Sequence, residues 1–233
     1  MSEGNKQGVE ITLLAGGAMD PGLVRVGAAF HRETGHTVKC FFNLGGVGLK
    51  RMEAGEVFDV LVHPHDLMER KYRATGFAES GAIPLGRVGI GVLIRPGAPV
   101  PDISSVEAFK RTLVEADSIL YTTATSGGHI DEMLRKIGMH GQVQAKAKRV
   151  PHGPELMDQL AAGKGREFAF LPVPFAMTRN DVKLVGPLPE ELQHYLDFEA
   201  VPSTKSRHKD VAWAFARYCG GPGKPLLAAS GVI

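Results

Sequence analysis

The chain alternates short, nearly continuous apolar runs with longer stretches in which apolar residues recur every three or four positions. Val9–Ala15 is the first run and reads as a strand. From Asp20 the period changes: Leu23, Val26, Ala29 and Phe30 fall on one face of a helix that stops at Gly35. Asp20 reads as its cap and Pro21 as its first residue, where proline's missing N–H costs nothing. Val38–Phe42 gives a second strand, Gly46–Ala54 a second helix ended by Gly55, and Phe58–His63 a third strand. This β-α-β-α-β order predicts a mainly parallel sheet with helical crossovers.

A polar connection containing Pro84 and Gly86 follows, and then Val88–Ile94, whose unbroken apolar character suits a strand covered on both faces. Helix Ser104–Ala116, strand Ser118–Thr122, a helix from Ser126 to about Ile137, helix Pro154–Ala162 and strand Glu167–Leu171 continue the alternation. Val182–Val185 and Phe198–Val201 read as further strands. Arg207–Tyr218 ends the series as an amphipathic helix with Val211, Ala212, Phe215 and Tyr218 on one face.

Composition sets limits on this picture. With 233 residues, 43% of them hydrophobic, the chain can bury a large core as one domain or two small ones. Lys and Arg number 27 against 25 Asp and Glu, and the basic residues are scattered, which argues against nucleic acid as a partner. No apolar stretch approaches the roughly 18 to 20 residues that span a bilayer, so no membrane insertion is expected. The polar start, Met1–Gly8, lacks the pattern of a secretory signal; as written the chain is expected in the cytoplasm, or in the periplasm if a leader has been trimmed from it. Cys40 and Cys219 are far apart and fit no zinc or disulfide spacing, so they read as buried thiols. Gly89 and Gly91 lie inside a strand rather than at a strand-to-helix turn, and no Walker-type loop occurs, so no nucleotide cofactor is expected.

Ligands of open α/β sheets bind beyond the carboxyl ends of the strands. Those positions here hold Gly17, Ala18 and Met19 after the first strand, Gly45 and Gly46 after the second, and Thr123, Ser126, Gly127 and Gly128 after Ser118–Thr122. Unpartnered N–H groups and the positive end of the dipole suit such helix starts to a carboxylate or oxyanion, and Gly127 and Gly128 would let it approach closely. The same Thr123–Leu134 segment also reads as an ordinary helix with Ser126 as N-cap and Asp131 and Glu132 in its first turn. His63, His129 and His152 sit at strand or helix ends, where each is a candidate proton shuttle or simply a polar cleft residue. His63 and His65, two apart on an extended segment, point the same way, but no third ligand stands at metal spacing and no metal is expected. Lys146, Lys148 and Arg149 read as a solvated strand edge.

Several of these segments carry a family resemblance. Ala15-Gly-Gly-Ala-Met19, Phe30-His-Arg-Glu-Thr-Gly35 and Met52-Glu-Ala-Gly-Glu-x-x-Asp-Val60, in that order, resemble the molybdate-receptor branch of the type 2 periplasmic solute-binding proteins. The stretch Gly89–Arg111 is similar to the interlobe strand and following helix of a subgroup that includes aconitate isomerases, and Gly186-Pro-Leu-Pro-Glu-Glu-Leu192 to the segment where that family's chain crosses back. The resemblance spans nearly the whole chain. It implies a two-lobed α/β fold with mainly parallel sheets, flanking helices and a hinge. Residues 1–86 with 187–233 would form lobe I and residues 87–186 lobe II, with the ligand cleft between them.

Molybdate receptors carry serine hydroxyls in their first two helix-start loops, where this chain has Ala18 and Leu44-Gly45-Gly46. The resemblance therefore implies a small organic anion, a di- or tricarboxylate, in preference to molybdate, since missing charge-assisted bonds leave an oxyanion poorly held. One function is binding without turnover, with a transporter permease as partner if the protein is exported, or a sensor or ligand-buffer role if it is not. The other is a cytoplasmic, aconitate-isomerase-like reaction in which His63, His129 or His152 removes an allylic proton and the glycine-rich turns stabilise the charge that develops.

Overall fold

The structure, a computed structural model, describes residues 8–43, 47–123 and 125–233. The chain begins with β1 (Glu10–Gly16), α1 (Asp20–Thr34), β2 (Thr37–Asn43), α2 (Val47–Glu53) and β3 (Val60–Pro64). A short α3 (His65–Leu67) runs on into a π-helical turn, Met68–Arg73. Next come β4 (Ile83–Ile94), α4 (Val106–Glu115), β5 (Ser118–Thr122), α5 (Thr125–Lys136), α6 (His140–Gln144) and β6 (Ala147–Val150). The remaining elements are α7 (Gly153–Ala161), β7 (Glu167–Pro172), α8 (Val173–Ala176), β8 (Lys183–Pro187), β9 (Tyr195–Pro202), α9 (Lys209–Gly220) and α10 (Lys224–Ala228).

These elements form two compact units, one of Met1–Arg87 with Leu196–Ile233, the other of Val88–Tyr195. In the first, the strand order is β2-β1-β3-β9; β1 is parallel to β2 and β3, and β9 runs antiparallel to β3. In the second, β5 is parallel to β6 and β7, while β4 is antiparallel to β7 and to β8. The sheets are thus mixed rather than mainly parallel. The antiparallel pairs all involve β4, β8 or β9, each set beside a strand distant in the chain.

Alternation along the strands builds the core of the second unit. Ile119 and Tyr121 of β5 join Phe109, Ile130, Leu134, Phe168 and Phe170 on one face, while Leu120 joins Leu156, Leu160, Ala169 and Leu171 on the other. In the first unit Leu14, Phe58, Leu61, Met68 and Tyr72 form one cluster. On α1, Phe30 meets Phe215 and Tyr218 of α9 edge-on, at 5.2 and 5.3 Å.

The helix starts and stops depart from the sequence reading in detail. Gly35 ends α1 with φ 76°, its N–H bonded to His31 O at 2.8 Å, the left-handed cap that only glycine adopts freely. Asp20 is the first residue of α1 and Met19 its cap, with no side-chain cap bond. Pro84 and Gly86 belong to β4 rather than to a connection; Gly86 has φ +128°, and a Cβ there would stand 2.8 Å from Ile233 O. The chain's last residue pairs with Arg87 through both backbone groups, at 2.7 and 2.9 Å.

Candidate functional site

Parallel strands put their carboxyl ends on one edge of a sheet, so β1, β2 and β3 end side by side: Gly16 stands opposite Asn43 and Ala15 opposite Val62. Gly17–Met19 form a single 3-10 turn that leads into α1, with Ala18 and Met19 buried. Their side chains pack inward, so what this turn offers a ligand is backbone. Gly45 and Gly46 lie outside the described residues.

His63 departs most from expectation. It is 1% exposed in a strand whose five residues are all buried, and its ring stacks on Tyr72 at 4.6 Å and 13°. Its Nε2 has no hydrogen-bond partner, and its Nδ1 stands 3.7 Å from where a Gly16 Cβ would be. Burial pushes its pKa down to about 3, so the ring is neutral, a poor base, and closed to solvent rather than set in an open cleft.

In the second unit the ends of β5, β6 and β7 gather in the same way, Thr122 opposite Val150 and Tyr121 opposite Phe170. Thr123 N–H donates to Val150 O at 2.9 Å, and α5 begins at Thr125. Ser126 is therefore inside the first turn and not its cap. It is buried, and its Oγ lies 3.3 Å from the Oγ1 of the equally buried Thr122. Gly127 is required by packing, since a Cβ there would overlap the carbonyl oxygen of Thr122 and stand 2.7 Å from its carbon. The glycine lets the helix start sit directly on the strand end, and a close ligand approach does not explain it. Gly128, by contrast, faces open space, with nothing within 4 Å of a built Cβ.

His129, a turn further along α5, is half-buried and stacks on His194, the ring centroids 3.5 Å apart and the planes 22° apart. His194 belongs to the Gln193–Tyr195 segment. Gln193 anchors it: Oε1 accepts from Ile90 N at 2.8 Å and Nε2 donates to Ile90 O at 2.9 Å, a side-chain amide standing in for a strand partner. His152 caps α7 through its backbone, its Nδ1 buried and without a partner. The structure thus brings Thr122, Thr123, Ser126, Gly127, Gly128 and His129 together at one helix start, with His152 two residues past the adjoining end of β6.

Sequence reasoning missed the group that holds this helix in place. Asp131 is buried and accepts from Tyr121 Oη at 2.9 Å and Arg149 Nη2 at 2.8 Å, while Gln144 Nε2 donates to Tyr121 Oη at 2.5 Å. Arg149, read as part of a solvated edge, is here a structural ion-pair partner; Lys146 donates to the carbonyls of Val114 and Ala116, both at 2.6 Å, at the end of α4. Asp131→Ala should lower unfolding free energy by about 1–3 kcal/mol, because it leaves the hydroxyl of buried Tyr121 without its acceptor, while the exposed Arg149 guanidinium can turn to water. Urea unfolding of the two proteins checks this, and a loss under about 0.5 kcal/mol, the range of an ordinary surface change, would refute it.

His65, two residues after His63, opens a helix rather than extending the strand, so the two imidazoles do not share a side. His65 Nδ1 instead meets Glu199 Oε2 at 3.0 Å, and that bond raises its pKa. Among the described residues His65, Glu69 and Glu199 have potential ligand atoms within 4.8 Å of one another. Arg73 donates to Glu199 at 2.8 Å and also pairs with Glu69, so the trio is already neutralised as a salt-bridge network. Burial, with the Asp20 charge, pushes the Cys40 thiol up to about 11, and burial raises Cys219 as well, which makes both poor nucleophiles.

Two α/β units with mixed sheets and ligand-type turns at the strand ends define a periplasmic-binding-protein fold. The profile of the bacterial extracellular solute-binding protein family matches residues 11–231, and the chain belongs to that family. Among solved structures, the periplasmic molybdate-binding protein of Azotobacter vinelandii aligns with TM-score 0.79 at 18% identity, covering 96% of this chain and 98% of that one. PEB3 of Campylobacter jejuni, with L-phospholactate bound, aligns with TM-score 0.76 at 13% identity, covering 95% and 98%. An aconitate isomerase from a Pseudomonas species is 26% identical over 169 residues, 72% of this chain; the match spans 64% of that relative's length. Among the described residues, no helix is long and apolar enough to cross a membrane.

Proposed function

We propose that this solute-binding protein holds a small organic anion, a di- or tricarboxylate, with Thr122, Ser126 and the first-turn N–H groups of α5 taking one carboxylate. The carrying observation is the hydroxyl pair. Thr122 Oγ1 and Ser126 Oγ are both buried and 3.3 Å apart, and a bond between them uses one of their two protons. The other is left to donate to an acceptor, and the orphan N–H groups beside it favour an anionic one. In the first unit the backbone of the Gly17–Met19 turn is an anion-type turn of the same kind. Ala18 brings no hydroxyl, which disfavours molybdate, and PEB3 with L-phospholactate gives precedent on this fold for an organic anion.

A second reading has the protein isomerise such an anion. The aconitate isomerase relative favours it, and His129 and His152 are the bases in position. Buried, neutral His63 is left out of this role. The base would take a proton from the allylic carbon of an unsaturated tricarboxylate and return it at the far end of the three-carbon unit, the α5 start stabilising the intermediate charge. The isomerase reading goes with a cytoplasmic protein, the receptor reading with an exported one and a permease.

A thermal-shift screen of citrate, cis- and trans-aconitate, smaller dicarboxylates, molybdate and sulfate tests the first reading. A polycarboxylate at about a hundred times its Kd should stabilise the protein by about 2.7 kcal/mol, and Ser126→Ala should lose about half of that or more. Stabilisation by molybdate alone, or full response in Ser126→Ala, would overturn it. Proton NMR of any hit in deuterated water separates the readings, since only turnover puts deuterium into the carbon skeleton or interconverts isomers.

A further inference from the structure

The stacked imidazoles of His129 and His194 have no part in the fold's cores, and stacking dictates what they can do. Rings face to face at 3.5 Å and 22° send their in-plane lone pairs out in nearly parallel planes, so they do not converge on one metal ion. Two positive charges at that separation repel strongly, so the pair carries at most one proton while it stays stacked. His129 is three residues after Ser126, on the same side of α5, and Gly128 beside it is open. Gln193, bonded to both backbone groups of Ile90, keeps His194 against it.

An anion seated on the first-turn N–H groups of α5 places a negative charge beside the pair, which favours a proton there. We propose that the His129–His194 pair takes up one proton when a carboxylate binds at the start of α5, which makes binding proton-coupled; this rests on the anion-binding reading above. Glu132, whose Oε2 is 3.9 Å from His129 Nδ1, is the carboxylate that faces the pair from α5 itself, and it is exposed. On the segment that carries the second ring, Glu190 and Glu191 precede His194, and Tyr195 and Asp197 follow it. With its ring stacked on the one that meets the anion, His194 acts as a positioning and charge-sharing residue.

Calorimetry of trans-aconitate binding at pH 7.5, in two buffers of different ionisation enthalpy, reads the proton directly, because this ligand is fully ionised and exchanges none itself. The wild type should take up about half a proton or more, and its Kd should weaken toward about tenfold per pH unit above pH 8. His129→Gln should bind more weakly, with uptake near zero and a flat pH profile, and His194→Gln, which leaves His129 without its stacked partner, should bind more weakly with uptake reduced to less than half that of the wild type; two variants guard against one that fails to fold. Binding by the wild type without proton uptake, or undiminished uptake in His194→Gln, would overturn the pair's role. No binding of trans-aconitate or of any other polycarboxylate would instead sink the anion-binding reading and this inference with it.

Discussion

A methyl group at Gly127 is expected to destabilise the second unit by about 3 kcal/mol or more, while the same change at Gly128 is expected to stabilise it by about 0.5–1 kcal/mol. Both glycines sit in the first turn of α5, and propensity alone treats them alike. The difference lies in what a Cβ would meet. At Gly127 it overlaps the Thr122 carbonyl, a backbone atom at the end of a central strand that pairs on both sides and cannot retreat. The helix must move instead, against the Asp131–Tyr121–Arg149 bonds that fix it. At Gly128 there is open space, and alanine loses less backbone entropy on folding. Urea unfolding of Gly127→Ala and Gly128→Ala beside the wild type gives the comparison, and equal stabilities would show that the helix start does not rest on the strand end in this way.

The second large effect concerns acid. His63 has its folded pKa lowered from 6.5 to about 3 by burial, so between those values the unfolded chain binds a proton that the folded chain does not. Stability is unaffected above about pH 6.5 and falls with decreasing pH through the window down to about 3, by about 1.4 kcal/mol per pH unit from this group. His63→Phe keeps an aromatic ring against Tyr72 and removes the titration. Between pH 7 and pH 4 the wild type should therefore lose about 3 kcal/mol more than His63→Phe, the carboxylates being common to both. Parallel stability curves would show that the buried ring is protonated as readily as an exposed one.

Much of the fold was legible because periodicity and punctuation agreed. Strand β5 was read with its observed ends, α1 ends at the predicted Gly35, and β7 and α7 differ from their predicted spans by no more than one residue at each end. The π-helical turn Met68–Arg73 was missed because its residues, Met-Glu-Arg-Lys-Tyr-Arg, are mostly charged and show no apolar stripe; only Met68 and Tyr72 turn inward. Pro84 and Gly86 masked the start of β4, since both are rare in strand interiors and are tolerated here near the chain's last residue.

The candidate site was less legible, for a reason its residues share. Position after a strand marks where a ligand can sit, but it does not say which way a side chain faces. His63 belongs to a run, Val-Leu-Val-His-Pro, that is apolar on both sides, and β3 lies between β1 and β9. That continuity was the available sign that the imidazole is covered. Gly127's contact with the Thr122 carbonyl and the pairing of His129 with His194, far along the chain, depend on how the elements pack, which no local spacing records.

Anion binding at the start of α5 is tested most directly by calorimetric titration of trans-aconitate, citrate and molybdate into the wild type and Ser126→Ala. Saturable one-to-one binding of a polycarboxylate by the wild type is expected, with binding by Ser126→Ala weaker by about tenfold or more, the loss of a hydrogen bond to a charged group, and no measurable heat from molybdate. Tight molybdate binding, or polycarboxylate binding untouched by loss of the Ser126 hydroxyl, would contradict it.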